Sequence, residues 1–461
     1  MRRVERLLIH CSSSTVSGHT VRQIIGFKNQ AIYKRCIREL SRNGIRPVKS
    51  IRRSRVISCL LDGRRTEQLQ SLKNHPHVKY VEPDFKISSH RIAPPSSEAS
   101  LAVRSKQCKP SIQNSASLGI KGRTAARNLP AAKAVPVLSR PSRPLLLPPK
   151  FSNSATIRKE ITWNIARIQA PDVWSSTSGE GVKIAIIDTG IAAHPDLHIA
   201  GGINTVDGSS YQDDNGHGTH VAGTAAALGT NGNITGTAPK AELYAVKALD
   251  ADGSGYVSDI IAGIDWCIKN KIQIINMSLG LQGSSSTALR DAIKRASKQG
   301  IVIVASAGNS GPRSGGIDEP ASYPETIAVA ASTISNGIAD FSSRGDGIDV
   351  AAPGSIIRST WLRGGYQILS GTSMACPHAA GSAALILAKE PHLTPSQVAE
   401  RLRSSARSLT GFAAQSQGSG LLQIADALQA GNSGTAARYK RILQRRSRIR
   451  RSSKSRMPRT R

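Results

Sequence analysis

Aromatic residues are scarce in this chain: five Phe, four Trp and eight Tyr, 4% of 461 residues. A groove that stacks successive bases on rings is therefore not written into the composition. Long apolar runs are also missing. Nothing approaches the roughly 18–20 consecutive apolar residues that cross a bilayer, so no spanning helix is expected. Cysteine is thinly scattered, at Cys11, Cys36, Cys59, Cys108, Cys267 and Cys376. No Cys-x-x-Cys or Cys/His ligand spacing joins these positions, which argues against zinc and leaves disulfide pairing open. At the N-terminus Arg2, Arg3 and Arg6 are followed only by Leu7-Leu8-Ile9. That is short of the roughly 7–15 apolar residues of a secretory leader, so no signal peptide is expected.

Small residues and positive charge are abundant. There are 41 Gly, and the formal charge is +32, but that charge is unevenly spread. Residues 1–87 carry +13, residues 88–160 carry +11, residues 161–437 carry −4 and residues 438–461 carry +12. A near-neutral body is flanked by basic segments. Whole-chain charge is thus a poor guide to what the body does.

The pattern divides the chain into five parts. Residues 1–19 are an N-terminal segment. Residues 20–87 read as a small α+β module. In it, Val21 to Phe27, Val56 to Leu61 and Val78 to Val81 are strand-like, while Ile32, Cys36, Ile37 and Leu40, then Leu69 and Leu72, recur at helical spacing. Residues 88–158, rich in Ser, Pro, Ala, Lys and Arg without apolar periodicity, read as a disordered linker. Residues 159–435 alternate buried strands (182–187, 272–276, 301–305, 327–331) with Ala- and Gly-rich helices (217–228, 258–270, 286–299, 373–389). That alternation predicts a parallel sheet covered on both faces. Residues 436–461 read as a disordered cationic tail.

Three places in the body break the apolar pattern where a strand ends or a helix begins, which is where parallel sheets gather reactive groups. Asp188-Thr189-Gly190 closes a buried strand; alone it also suits a turn or cap. His217 and His220 open a small-residue helix. Their spacing can serve a metal, but no further carboxylate or His follows on that helix. Ser373 falls in the first turn of the last long helix, where a hydroxyl is often only an N-cap. It also lies where helix N–H groups face any oxyanion formed beside it. Asp, His and Ser are the parts of an orienter–base–nucleophile relay. Asn309, at the end of another strand, offers an amide donor.

On these residues the body resembles a subtilisin-like serine protease, a subtilase. The motifs stand as Ala185-Ile-Ile-Asp-Thr-Gly190, His217-Gly-Thr-His-Val-Ala-Gly223 and Gly371-Thr-Ser-Met-Ala-Cys-Pro-His378, in the family's order. The resemblance covers roughly residues 160–430. It implies Asp188, His217 and Ser373 as catalytic triad, Asn309 as oxyanion donor, and packing roles for His220 and His378. It implies substrate pairing along Ser278-Leu279-Gly280, with Ser306-Ala307-Gly308 as the other wall of the specificity pocket. Asp318 and Glu319 fall near the expected pocket floor. A carboxylate there favours a basic residue before the cut bond; a solvated acidic turn away from the pocket is the other reading.

The resemblance further implies structural Ca²⁺ at Asp196, Leu228, Thr230, Gly232 and Ile234. Thr230 stands where the family usually has Asn or Asp. A second cation near Asp349, Ala321 and Tyr323 competes with a plain surface turn. The 20–87 module resembles the family's propeptide, a ferredoxin-like inhibitor and folding template. The chain is thus expected to be a self-inhibited, autoprocessed precursor, with the cut anywhere in 86–159. Its partners are then polypeptide substrates and its own propeptide, and a monomer is expected. The tail is an anchor to nucleic acid, anionic cell wall or membrane surface, or a segment removed on maturation. Export follows from the propeptide and not from any leader, so the compartment stays open. A catalytically idle scaffold predicts a broken triad, which is not seen; a nucleic-acid binder rests only on the basic arms.

Overall fold

The computed structural model describes residues 3–13, 18–90, 161–230 and 233–429. Most of the expected linker, the whole tail, Cys108 and Gly232 lie outside them.

The N-terminal module forms strands β1 (Thr20–Phe27), β2 (Lys49–Ile51), β3 (Val56–Asp62) and β4 (Val78–Pro83), in the order β2-β3-β1-β4. Its pairings are antiparallel. Helices Gln30–Arg42 and Thr66–Lys73 cover one face. The first of them starts where Asn29 accepts from the Ile32 N–H at 2.9 Å. Strand alternation divides β1 between two cores. Ile25 and Phe27 pack under the module's helices, whereas Ile24 joins the body. A third helix, Val4–Cys11, lies within the segment left unassigned above. Val4, Leu7, Leu8 and Cys11 bury one stripe against the same core. Their i, i+3, i+4, i+7 spacing was a helix signal in the sequence.

The body holds a seven-stranded sheet built from β6 (Lys183–Asp188), β7 (Ile199–Asn204), β8 (Glu242–Lys247), β10 (Ile274–Met277), β12 (Val302–Ser306), β13 (Ile327–Ser332) and β14 (Val350–Pro353). The order is β14-β13-β12-β10-β6-β8-β7, with parallel neighbours throughout. This is the expected subtilisin-like α/β architecture. Along β6, Ile184 and Ile186 face one helical layer, with His217–Ala226 and Thr372–Lys389. Ala185 and Ile187 face the other, with Val257–Lys269 and Thr287–Lys298. Both layers are apolar and buried, so the sheet's carboxyl edge is where polar groups emerge.

The module's sheet rests on the second layer: Ile24, Ile51 and Val56 share its apolar cluster. From there the chain continues into β5 (Lys86–Ser89), which enters the body between β9 (Ser254–Tyr256) and β11 (Leu279–Gly280) and pairs antiparallel with both. Ser88 and Ser89, placed in the linker by composition, are therefore strand. Backbone bonds to two neighbours hold them, and such bonds leave no side-chain pattern to read. Among the described residues no helix is long and apolar enough to cross a membrane. The five described cysteines are buried free thiols.

Candidate active site

Three elements carry Asp188, His217 and Ser373, the residues expected to form a relay. Asp188 ends β6 and His217 begins its helix; both are fully buried. The imidazole Nδ1 meets Asp188 Oδ1 at 2.7 Å, and the same oxygen accepts from the Thr189 N–H at 2.7 Å. Such closeness needs residues without side chains. A Cβ on Gly218 would lie 2.1 Å from the Gly190 carbonyl oxygen. His217 Nε2 is buried and makes no hydrogen bond among the described residues.

Ser373 is fully buried in the first turn of Thr372–Lys389, which packs beside the His217 helix. Its hydroxyl donates to the Ser278 carbonyl at 3.0 Å rather than to the imidazole. Asn309 follows β12. Its Oδ1 accepts from Thr372 N–H at 2.9 Å and from Thr372 Oγ1 at 2.8 Å. These two donors fix which way the amide faces, and Nδ2 is left buried without a partner among the described residues. A donor held ready with nothing to bond is costly in a finished structure, yet it is what a site for transient negative charge requires.

His220 and His378 take no part in this arrangement. His220 Nε2 bonds the carbonyls of Ile357 at 3.0 Å and Gln367 at 3.1 Å. His378 lies between Met374 O and Asn164 Nδ2, each at 2.8 Å. Burial holds both rings neutral, His220 down at about 3 and His378 at about 4.

The cleft beside these groups is filled by the chain itself. Leu279 pairs with Ser89 and Gly280 with Ser88, so the expected pairing segment carries a peptide. The opposite rail, Ser254-Gly255-Tyr256, was missed in the sequence; three polar or small residues in a turn region give no strand signal. The next residue, His90, donates its N–H to the Ser278 carbonyl at 3.2 Å. Its own carbonyl faces the Ser373 N–H at 3.4 Å. The His90 ring enters the pocket walled by Gly280, Ser306 and Gly308, where Nδ1 meets Ser306 Oγ at 2.7 Å. Ala307 is buried behind, its carbonyl accepting from the Asp318 N–H at 3.0 Å.

The two acids near the pocket separate. Asp318 Oδ2 lies 2.8 Å from His90 Nε2. Glu319 points away, accepting from Ser285 Oγ at 2.7 Å and the Ser286 N–H at 2.9 Å.

The residues expected to hold Ca²⁺ are close together, but the carboxylate is already engaged. Asp196 Oδ1 accepts from the Thr230 N–H at 2.8 Å and from Thr230 Oγ1 at 2.9 Å. Its Oδ2 faces the Tyr366 hydroxyl at 3.3 Å. Leu228 donates its N–H to the Asp196 carbonyl at 2.9 Å, and Ile234 is buried in the apolar core. Hard Ca²⁺ takes six to eight oxygens, from carboxylates with free lone pairs, carbonyls and water. One carboxylate satisfied by protein donors does not fit that need. Among the described residues, no three His, Cys, Asp or Glu side chains gather around one point. Asp349 likewise binds protein groups, the Arg403 guanidinium at 2.7 Å and the Ala328 N–H at 2.8 Å. Thr326 Oγ1 donates to the Ala321 and Tyr323 carbonyls.

Comparison with known proteins agrees with this architecture. Residues 179–423 match the model of the Subtilase family. Subtilisin Savinase of Lederbergia lenta is 47% identical over 253 residues, 54% of this chain and 93% of that protein. Subtilisin E of Bacillus subtilis is 49% identical over 254 residues, 54% of this chain and 66% of that protein. The alkaline protease of Shouchella clausii is 46% identical over 256 residues, 55% of this chain and 67% of that protein. A parallel-sheet hydrolase with this coverage has one assignment: the chain belongs to the subtilase family. It is a subtilisin-like serine endopeptidase. Calcium binding is general in that family, and the Asp196 loop departs from it in the way just described.

Proposed function

We propose that the chain is made as a self-inhibited precursor that cuts itself and then hydrolyses other polypeptides through Asp188, His217 and Ser373. In this reading the Ser373 side chain rotates from the Ser278 carbonyl towards His217 Nε2, the buried nitrogen with no partner. His217 takes the hydroxyl proton as Oγ attacks the peptide carbonyl. Asp188 holds the ring through Nδ1 and stabilises the imidazolium. The oxyanion receives the Ser373 N–H and Asn309 Nδ2. His217 then protonates the leaving amine, and water releases the acyl group by the same steps in reverse order.

The observation that carries this reading is the His90 carbonyl at the Ser373 N–H. Together with the antiparallel pairing of Lys86–Ser89, it supports residues 20–90 as a propeptide bound like a substrate. The bond cut on maturation is then His90–Arg91, not one deeper in the basic linker. A fluorophosphonate probe tests the triad: it should label processed wild type at Ser373 and fail on a folded His217→Ala variant. Labelling undiminished by that change would contradict the reading. For the basic tail, which lies outside the described residues, we propose salt-sensitive contact with polyanions. The catalytic body acts as a monomer.

A further inference from the structure

Asp318 is nine-tenths buried, and the His90 ring is the one partner of its carboxylate among the described residues. Among the described residues no Lys or Arg forms an ion pair with it. Ser306 bonds the other ring nitrogen, while Gly280 and Gly308 present only backbone. Those glycines are needed for the fit. A Cβ on Gly280 would lie 2.1 Å from the His90 ring, and one on Gly308 would lie 2.7 Å from Asp318 Oδ2. The pocket thus ends in a carboxylate that the fold does not neutralise. A buried carboxylate without a partner is costly, and an apolar occupant would leave this one so. A cationic side chain satisfies it with a charge-assisted bond.

We infer that Asp318 sets the specificity of this peptidase, whose pocket takes a cationic side chain immediately before the cut bond, His90 being its first occupant. The inference rests on the endopeptidase reading above and adds the class of substrate. Glu319, the neighbouring acid, is excluded by its bonds to Ser285 and Ser286.

The test uses processed enzyme and matched peptides carrying Lys, Arg, His, Phe or Leu before the scissile bond. The cationic series should exceed Phe and Leu by roughly ten- to hundred-fold in kcat/KM, the range of a hydrogen bond to a charged group. Asp318→Asn should collapse that ratio. A second arm reads the chain's own cleavage. In the full chain, His90→Phe should slow cleavage at the 90–91 bond by a similar factor, and Asp318→Gly added to it should restore the rate. A misfolded variant rescues nothing, so this compensation separates specificity from stability. Preference for Phe or Leu in wild type, unmoved by Asp318→Asn, overturns the inference and leaves the peptidase standing. Folded, processed enzyme that cuts none of the peptides overturns both.

Discussion

Asp84 of the small module caps a helix of the body through Ser258: its carboxylate accepts from the Ser258 N–H at 2.9 Å and from Ser258 Oγ at 2.8 Å. Arg22 clamps the same carboxylate at 2.7 Å. Two residues earlier, Glu82 does the equivalent for Thr287–Lys298, accepting from Ser286 Oγ at 2.6 Å and from the Thr287 and Ala288 N–H groups at 3.1 Å. The module therefore supplies negative charge to two helix N-termini whose dipoles favour it. In a Ser373→Ala background, where module and body stay joined, Glu82→Ala should lower stability by about 1–2 kcal/mol. Asp84→Ala should cost about 3 kcal/mol, because it also removes the nearest carboxylate of Arg22. Calorimetry of the two variants checks both; equal, negligible losses would mean the caps do not hold the interface.

Asn309 has its carbonyl tied to Thr372 and its amide nitrogen free. If it is the oxyanion donor proposed above, replacing it with Leu should lower kcat by about 10²–10³ with KM little changed, the magnitude known for the oxyanion-hole Asn of subtilisin. Steady-state kinetics that put the loss into KM would assign Asn309 to ground-state binding.

Acid should destabilise the body through two histidines that take no part in the relay. Both rings are buried neutral, with values near 3 for His220 and 4 for His378. In the unfolded chain each protonates near its ordinary 6.5. Below that pH the unfolded state binds more protons, so stability is full above about 6.5 and falls as pH drops towards 4. The slope is up to about 1.4 kcal/mol per pH unit for each ring. Denaturant midpoints across pH 7 to 4 should show it, and His378→Gln should remove one proton's share. An unchanged slope in that variant would move the effect elsewhere.

The Asp196 loop should behave as a hydrogen-bonded turn. Chelation with EDTA is expected to leave the melting temperature of the processed enzyme unmoved. Thr230→Val, which removes a donor to Asp196, should lower stability by about 1 kcal/mol. A large chelator effect reversed by added Ca²⁺ would refute this account of the loop.

Strands with dense β-branched cores, such as Lys183–Asp188 and Val302–Ser306, were legible from composition alone. Ile199–Asn204 was not: it is an edge strand, half-exposed, with two glycines, so little apolar signal survives. The relay residues were visible because charged and polar groups at strand ends stand out against small-residue helices. Ser88 to His90 were not, because their place is fixed by backbone pairing and by one ring entering a pocket. The roles of Asp318 and Glu319 were inseparable in sequence; only the side-chain directions divide them, Asp318 to the His90 ring and Glu319 to Ser285 and Ser286. The Val4–Cys11 helix was legible in principle, its four buried residues falling on one stripe.

Intact-mass analysis of purified wild type beside Ser373→Ala tests the central claim most directly. Wild type should lose residues up to and including His90, giving a body that starts at Arg91 or at a later trimmed position. The Ser373→Ala chain should keep its module at full mass. Identical processing of the two proteins, or an uncut wild type that is folded and pure, would contradict a Ser373-dependent cleavage of its own chain.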